Sequence, residues 1–237
     1  MTETAVQYEL QDRVAVVTID DGKANAISHE LAAGVHDALA RARDEAGAVV
    51  LAGRPGRFSA GFDLATMTSS DEAARNLLTA GAELAFEVFG FPKPVVIACT
   101  GHALAMGGIL LFCSDIRIGA EGPFKIGLNE VAIGMPVPRF AVDLGRDRLT
   151  RAAFTRSINH AMIHDPQSAV VAGFLDRVVP AEETVAAAVA EAAELAERLH
   201  PAGFATTRVN CRGELLAKLR HELAADVATF TVDLPAT

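Results

Sequence analysis

The chain has no GxxxxGK[ST], no HExxH and no GxGxxG at a strand-to-helix turn. The backbone cradle for a triphosphate, the paired zinc-binding histidines and the dinucleotide turn are therefore all missing. Cations are scarce as well: 21 Lys and Arg face 30 Asp and Glu, for a net charge of −9. Neutralising a phosphate backbone needs clustered Lys and Arg, so a general nucleic-acid surface is excluded and an anionic ligand needs a local basic site. Three cysteines, Cys99, Cys113 and Cys211, include no CxxC pair. Their odd number, with two inside apolar runs, points to reduced, buried thiols in a cytoplasmic protein rather than to a disulfide framework. The opening residues MTETAVQYELQD have neither the basic nor the apolar region that a signal peptide needs.

Several local patterns imitate sites without completing them. GRFSAG (56–61) is close to a nucleophile elbow, but its first glycine stands one position too far from Ser59 for GxSxG. His160 and His164 are four apart, as two ligands on one helix face would be, yet no further ligand is near them in sequence. Both read as ordinary polar positions, and so do His29 and His36. Lys218, Arg220 and His221 read as a solvated helix face. Neither a metal nor a resident cofactor is expected.

What the chain does have is apolar mass, 51% of its 237 residues, enough for a sizeable core in one large domain with or without an appendage. YEL and VAVVTID (8–10 and 14–20) flank Gln11-Asp12-Arg13 as a hairpin. Ser28 caps a helix on which Leu31, Val35, Leu39 and Ala42 share a face. AVVLAG (48–53) is wholly apolar, as in a strand covered on both faces. A second helix runs from about Asp71 to Phe91 and is stopped by Pro92 and Pro94. PVVIAC, DIRIGA (115–120), PFKIG (123–127) and DRVV (176–179) supply further strands, and alternating strands and helices predict an α/β core with crossover connections.

Residues 94–114 carry no Asp, Glu, Lys or Arg, a length that can cross a bilayer. Pro94, the break at Thr100-Gly101-His102 and the change from PVVIA to ALAMGGILLF divide the run instead into a strand, a turn and a buried helix, with no membrane span. Composition shifts again at Pro180, dividing the chain into a core over 1–179 and a helical region over 180–237. AEETVAAAVAEAAELAERL is one helix; after a break at Pro201-Ala202-Gly203 a second runs from about Thr206 to Phe230. These alanine-rich helices are expected to bury their apolar faces on the core or on a neighbouring subunit.

RFSAGFDL (57–64) and TGHALAMGG (100–108) each follow a strand and precede a helix. Small residues at Ala60-Gly61 and Gly107-Gly108 let backbone approach a ligand, and N–H groups entering a helix can point at a developing oxyanion with help from the helix dipole. Either segment alone reads equally well as a tight turn with packing glycines. Together they read as two halves of one site.

The pair FSAGFDL and GHALAMGGILLFCSD resembles the crotonase (enoyl-CoA hydratase/isomerase) superfamily. DDGKANAIS (20–28), PKPVVIACTGHA, NEVAIGMP (129–136) and AVVAGFLDRVVP (169–180) follow the family's order, so the similarity covers about residues 6–180. The resemblance implies a spiral of ββα turns, with C-terminal helices joining chains into a trimer or a hexamer. It implies acyl-CoA thioesters as ligands and two backbone N–H groups on the thioester oxygen, here Phe62 and Met106, supported by Gly61 and Gly107. Lys23, Ala24, Ala26, Ala60, Asp63 and Leu64 fall on positions that contact the CoA moiety. Of the two glutamates of family hydratases, the first falls on Ile109 and the second on Glu130; the later acid of dienoyl-CoA isomerases falls on Pro138. The apolar flank VAIG suggests that Glu130 is buried, which raises a carboxyl pKa and suits a base that must also return its proton. One movable proton carrier matches double-bond migration in a 3-enoyl-CoA. Hydration of a 2-enoyl-CoA by Glu130 alone is the alternative, and an acyl-CoA binding protein without turnover is the reading of another class.

Overall fold

The computed structural model describes residues 4–231. Strands β1 (Val6–Gln11) and β2 (Val14–Ile19) form the expected antiparallel hairpin, with Gln11 opposite Val14 and Asp12 at φ +51° in the two-residue turn. After a short β3 (Ala26–Ile27), Ser28 Oγ accepts the N–H of Leu31 and starts α1 (His29–Glu45). The chain then repeats one pattern, a strand, a second strand and a helix. β4 (Ala48–Gly53), β5 (Gly56–Ser59) and β6 (Gly61–Phe62) lead through α2 (Leu64–Met67) to α3 (Asp71–Gly90). β7 (Val95–Cys99) and β8 (Gly101–Leu104) lead to α4 (Met106–Cys113). β9 (Ile116–Ala120) and β10 (Ile126–Gly127) lead to α5 (Arg139–Arg148). These are the ββα turns that the resemblance implies.

The first strands of the turns line up in one six-stranded sheet, in the order β1-β2-β4-β7-β9-β11 with β11 at Arg177–Val179. Every pairing in it beyond the hairpin is parallel. β5, β8 and β10 form a second, three-stranded parallel sheet, and β3 pairs with β6. Because side chains alternate along a strand, β2 sends Val14 and Val16 to one face of the large sheet and Ala15 and Val17 to the other. The first face is covered by Ala188, Ala192, Leu195 and Ala196 of α8 (Thr184–Arg198), and the second by α1, α3 and α4.

Several sequence expectations need correction. The presumed turn at Thr100-Gly101-His102 is largely strand β8, because Gly101 lies against the Gly56 backbone, where a Cβ would come within 2.0 Å of Gly56 C. Of PFKIG only Ile126–Gly127 is strand. Pro201-Ala202-Gly203 is no break: it is the first turn of α9 (Pro201–Ala228), where proline loses nothing because its missing N–H would have been unpaired. Helices α5, α6 (Arg151–Ile158) and α7 (Pro166–Ala172) were not foreseen, since at 10, 8 and 7 residues they are too short to show a helical period. Cys99 and Cys113 are buried but Cys211 is exposed on α9.

The alanine-rich segment after Pro180 spends its apolar faces largely within the chain. α8 lies on the large sheet, and α9 lies on α3 and α5 with Leu219, Leu223 and Val227 buried. Asp115, at the start of β9, holds α9 through Arg208 at 2.6 Å and Arg212 at 3.0 Å. Among the described residues, no helix is long and apolar enough to cross a membrane.

Candidate active site

The two glycine-bearing segments meet. Ser59 Oγ donates to Asn25 O at 2.7 Å and accepts the Gly61 N–H at 3.2 Å, so this buried serine is a brace for the turn and no nucleophile. Gly61 has φ +97°, and a Cβ there would lie 2.7 Å from Ala105 Cβ and 3.4 Å from Met106 N. Both the left-handed backbone and the contact demand glycine. Asp63 donates its N–H to Ile27 O on β3, and since successive strand N–H groups point to opposite sides, that of Phe62 is directed away from β3.

Met106 is the first residue of α4, so its N–H has no acceptor within the helix. The tight turn into α4 was expected at Gly107 and Gly108, but both are helical. The strained residue is Ala105, at φ +49° and ψ −120°. The glycines serve close approach instead: a Cβ at Gly107 would meet Ser59 O at 2.5 Å, and one at Gly108 would meet Gly127 O at 2.9 Å.

Between these segments lies a cavity of about 80 Å³ lined by Ala60, Phe62, Leu64, Ala105 and Glu130, with Met67, Leu78, Asn129, Ile133, Met135, Pro136, Pro138 and Phe230 completing the wall. Glu130 opens a short 3-10 turn (Val131–Ile133), closed by Gly134 at φ +82° and by the Met135 N–H donating to Glu130 O at 2.9 Å. The turn leaves Val131 and Ile133 46% and 38% exposed while tucking Glu130 inside at 8%. The VAIG flank is therefore not what buries Glu130; the cavity wall is. Glu130 Oε2 has no hydrogen-bond partner, and burial pushes its carboxyl up to about 7.

Ile109, one turn into α4, is fully buried in the core and is not among the residues lining the cavity. Among the described residues, Glu130 is the one ionisable side chain of that lining. Asn129, Met135 and Phe230 were missed as site residues. Asn129 stands beside Glu130 in the quoted NEVAIGMP, and its Oδ1 is likewise buried without a partner. Phe230 arrives from the far end of α9, a position no local pattern could reveal.

Lys23, Ala24, Ala26 and Asp63 line a separate, larger cleft of about 690 Å³. It adjoins the cavity, since Ala60 donates its N–H to Ala24 O at 3.0 Å. Among the described residues, Lys23 is the cleft's only cation beside Asp20, Asp21, Glu30 and Asp63, a lining that opposes a diphosphate. Asp63 also caps α2, with Oδ1 accepting from Thr66 N and Oγ1, and those bonds hold its carboxyl below the usual range. Leu64 is 57% exposed at the cavity's rim.

The remaining polar positions stay outside. His164 is buried against Ser157 at 3.0 Å, and Lys218 pairs with Asp143. No cluster of three or more His, Cys, Asp or Glu able to hold a metal ion occurs among the described residues.

The enoyl-CoA hydratase/isomerase family pattern matches residues 9–232. The crystal structure of an enoyl-CoA hydratase/isomerase family protein from Pseudomonas syringae is similar at 43% identity and a TM-score of 0.93, covering 96% of this chain and 98% of that one. The apo structure of an enoyl-CoA isomerase from Mycobacterium tuberculosis is similar at 38% identity and a TM-score of 0.91, covering 97% and 100%. Among curated proteins, a probable enoyl-CoA hydratase of Bacillus subtilis is 34% identical over 151 residues, 62% of this chain. The match spans 57% of that relative's length.

Proposed function

The chain belongs to the enoyl-CoA hydratase/isomerase family, and on that premise we propose that it moves the double bond of a 3-enoyl-CoA to the 2-position with Glu130 as sole proton carrier. The observation that carries this reading is that, among the described residues, Glu130 is the only ionisable group lining the cavity where the two glycine segments meet. The Glu130 carboxylate takes a proton from C2, and the electron pair of that C–H bond spreads into a dienolate. Its negative charge rests on the thioester oxygen, held by the N–H groups of Phe62 and Met106; one such donor is typically worth about 2.7–4 kcal/mol in a transition state. Glu130 then returns the proton to C4, and the double bond is left between C2 and C3. A carboxyl poised at about 7 takes up and gives back a proton with little driving force lost in either direction.

A second reading, hydration of a 2-enoyl-CoA, is favoured by Asn129, whose unpartnered Oδ1 in the same wall can accept a hydrogen bond from a water that Glu130 activates. The deciding experiment supplies 2-enoyl-CoA and 3-enoyl-CoA substrates and identifies products by mass and double-bond position. Isomerisation is expected to outrun hydration. Faster hydration by the wild type would replace the first reading with the second, and tight binding without turnover would replace both with a binding protein.

A further inference from the structure

Building on the acyl-CoA reading above, we propose that the cavity admits short enoyl groups of about four carbons and that Phe230, at the end of α9, sets this limit. The space is small: an apolar cavity of about 150 Å³ holds a benzene molecule, whereas this one is about 80 Å³. Phe62, Ala105 and Glu130 line the same space, so the reacting carbons share it with the rest of the acyl chain. Leu64 and Ile133 are exposed and mark the rim, while Met67, Leu78, Met135 and Phe230 are buried and close the interior.

Of these interior groups, Phe230 is the largest, and its backbone is tied to the fold at two points. Its carbonyl accepts from Arg75 Nε at 3.1 Å and its N–H donates to Val227 O at 3.0 Å. The turn before it is pinned by Leu223 and Val227 in the core and by Asp226 Oδ2, which accepts the Phe140 N–H at 3.2 Å. The methionines adapt by changing rotamer; the Phe230 ring is a rigid plane on a backbone held by those two bonds. Removing the ring frees a space comparable to a benzene, enough for about four further carbons.

The test is equilibrium binding of saturated butanoyl-, hexanoyl-, octanoyl- and decanoyl-CoA to the wild type, Phe230→Ala and Phe230→Leu, with helicity and Tm measured for each. Wild-type affinity should be at least tenfold weaker for octanoyl-CoA than for butanoyl-CoA. That gap should close by tenfold or more in Phe230→Ala and by less in Phe230→Leu, which keeps the helix end packed. Octanoyl-CoA binding the wild type as tightly as butanoyl-CoA overturns the size limit, and an unchanged gap in either folded variant overturns Phe230 as its cause. Saturated thioesters are not isomerised, so failure of the isomerase reading alone leaves the chain-length order intact. Absence of binding by any acyl-CoA overturns both.

Discussion

The α8 face of the six-stranded sheet and the site that lies beyond its other face are built on opposite terms. Toward α8, valines, isoleucines and alanines of β2, β4, β7 and β9 meet Ala188, Ala192, Leu195 and Ala196 in one apolar cluster. Beyond the other face, where β6 meets the start of α4, Ala105 is strained and Glu130 Oε2 and Asn129 Oδ1 are buried without partners. Each of those features costs free energy, of order 1–3 kcal/mol for the backbone and a similar amount for each unpaired polar atom. The apolar clusters on both faces of the sheet supply the stability that lets the site keep them.

Exchanging Glu130 for Gln removes the charge while keeping the volume, and breaks the chemical half of the contrast. We expect kcat to fall by about 10²–10⁴-fold, the usual worth of general acid–base assistance, with acyl-CoA affinity retained within tenfold. Near-normal turnover would mean that another group carries the proton. Glu130 should also show in the pH profile: with a folded-state pKa of about 7, kcat/KM should rise with pH as one ionisation and level off above it.

The same carboxyl gives the next effect, on stability. Burial raises it from 4.5 to about 7, so between those values the folded protein holds a proton that the unfolded chain has released. Stability therefore declines as pH rises through that window, by about 3 kcal/mol once both states are ionised. Urea denaturation of wild type and Glu130→Gln at pH 8 and near pH 4.5 checks this. The variant should be the more stable at pH 8, with the difference shrinking at the lower pH; a difference of the same size at both would rule it out.

How much of this was legible in the sequence follows from how local each signal is. β2, β4, β7 and α1 declare themselves by unbroken or periodic apolar residues, and the structure has them where the pattern puts them. Gly61 and Gly107 were visible as small residues between a strand and a helix. Their separate reasons, a left-handed backbone at one and a 2.5 Å approach to Ser59 O at the other, exist only after folding. Burial of Glu130 was inferred from VAIG, which is itself exposed. The wall that buries it includes Leu78 on α3 and Phe230 after α9, a hundred residues beyond Glu130. Long-range walls leave no trace in a local window.

Smaller effects sharpen the contrast with glycine alone. Gly107→Ala forces a Cβ against Ser59 O and Ser59 Cβ at 2.5 and 2.9 Å, where backbone on both sides must move. Overpacking of this kind costs about 1–3 kcal/mol, so the urea midpoint should drop. Because the displaced element is the start of α4, the Met106 N–H moves with it, and kcat should fall in the protein that remains folded. A stable variant with full activity would show that the approach of α4 to β5 has slack.

The smallest change expected is at Gly213, in the middle of the 28-residue helix α9. A Cβ there comes no closer than 3.4 Å, to Val209 Cγ1, an ordinary contact on the same helix. Glycine in a helix interior is about 1 kcal/mol worse than alanine because more backbone freedom is lost on ordering. Gly213→Ala should therefore stabilise the protein by up to about that amount in urea denaturation while leaving kcat unchanged. The pairing with Gly107→Ala is the point of the experiment, since the same added methyl group has opposite signs at two glycines for reasons that are wholly geometric. If Gly213→Ala instead lowers kcat without lowering stability, stiffening α9 has reached the cavity through Phe230, and the line between the stabilising and the reacting parts of the molecule runs through this helix rather than along the sheet.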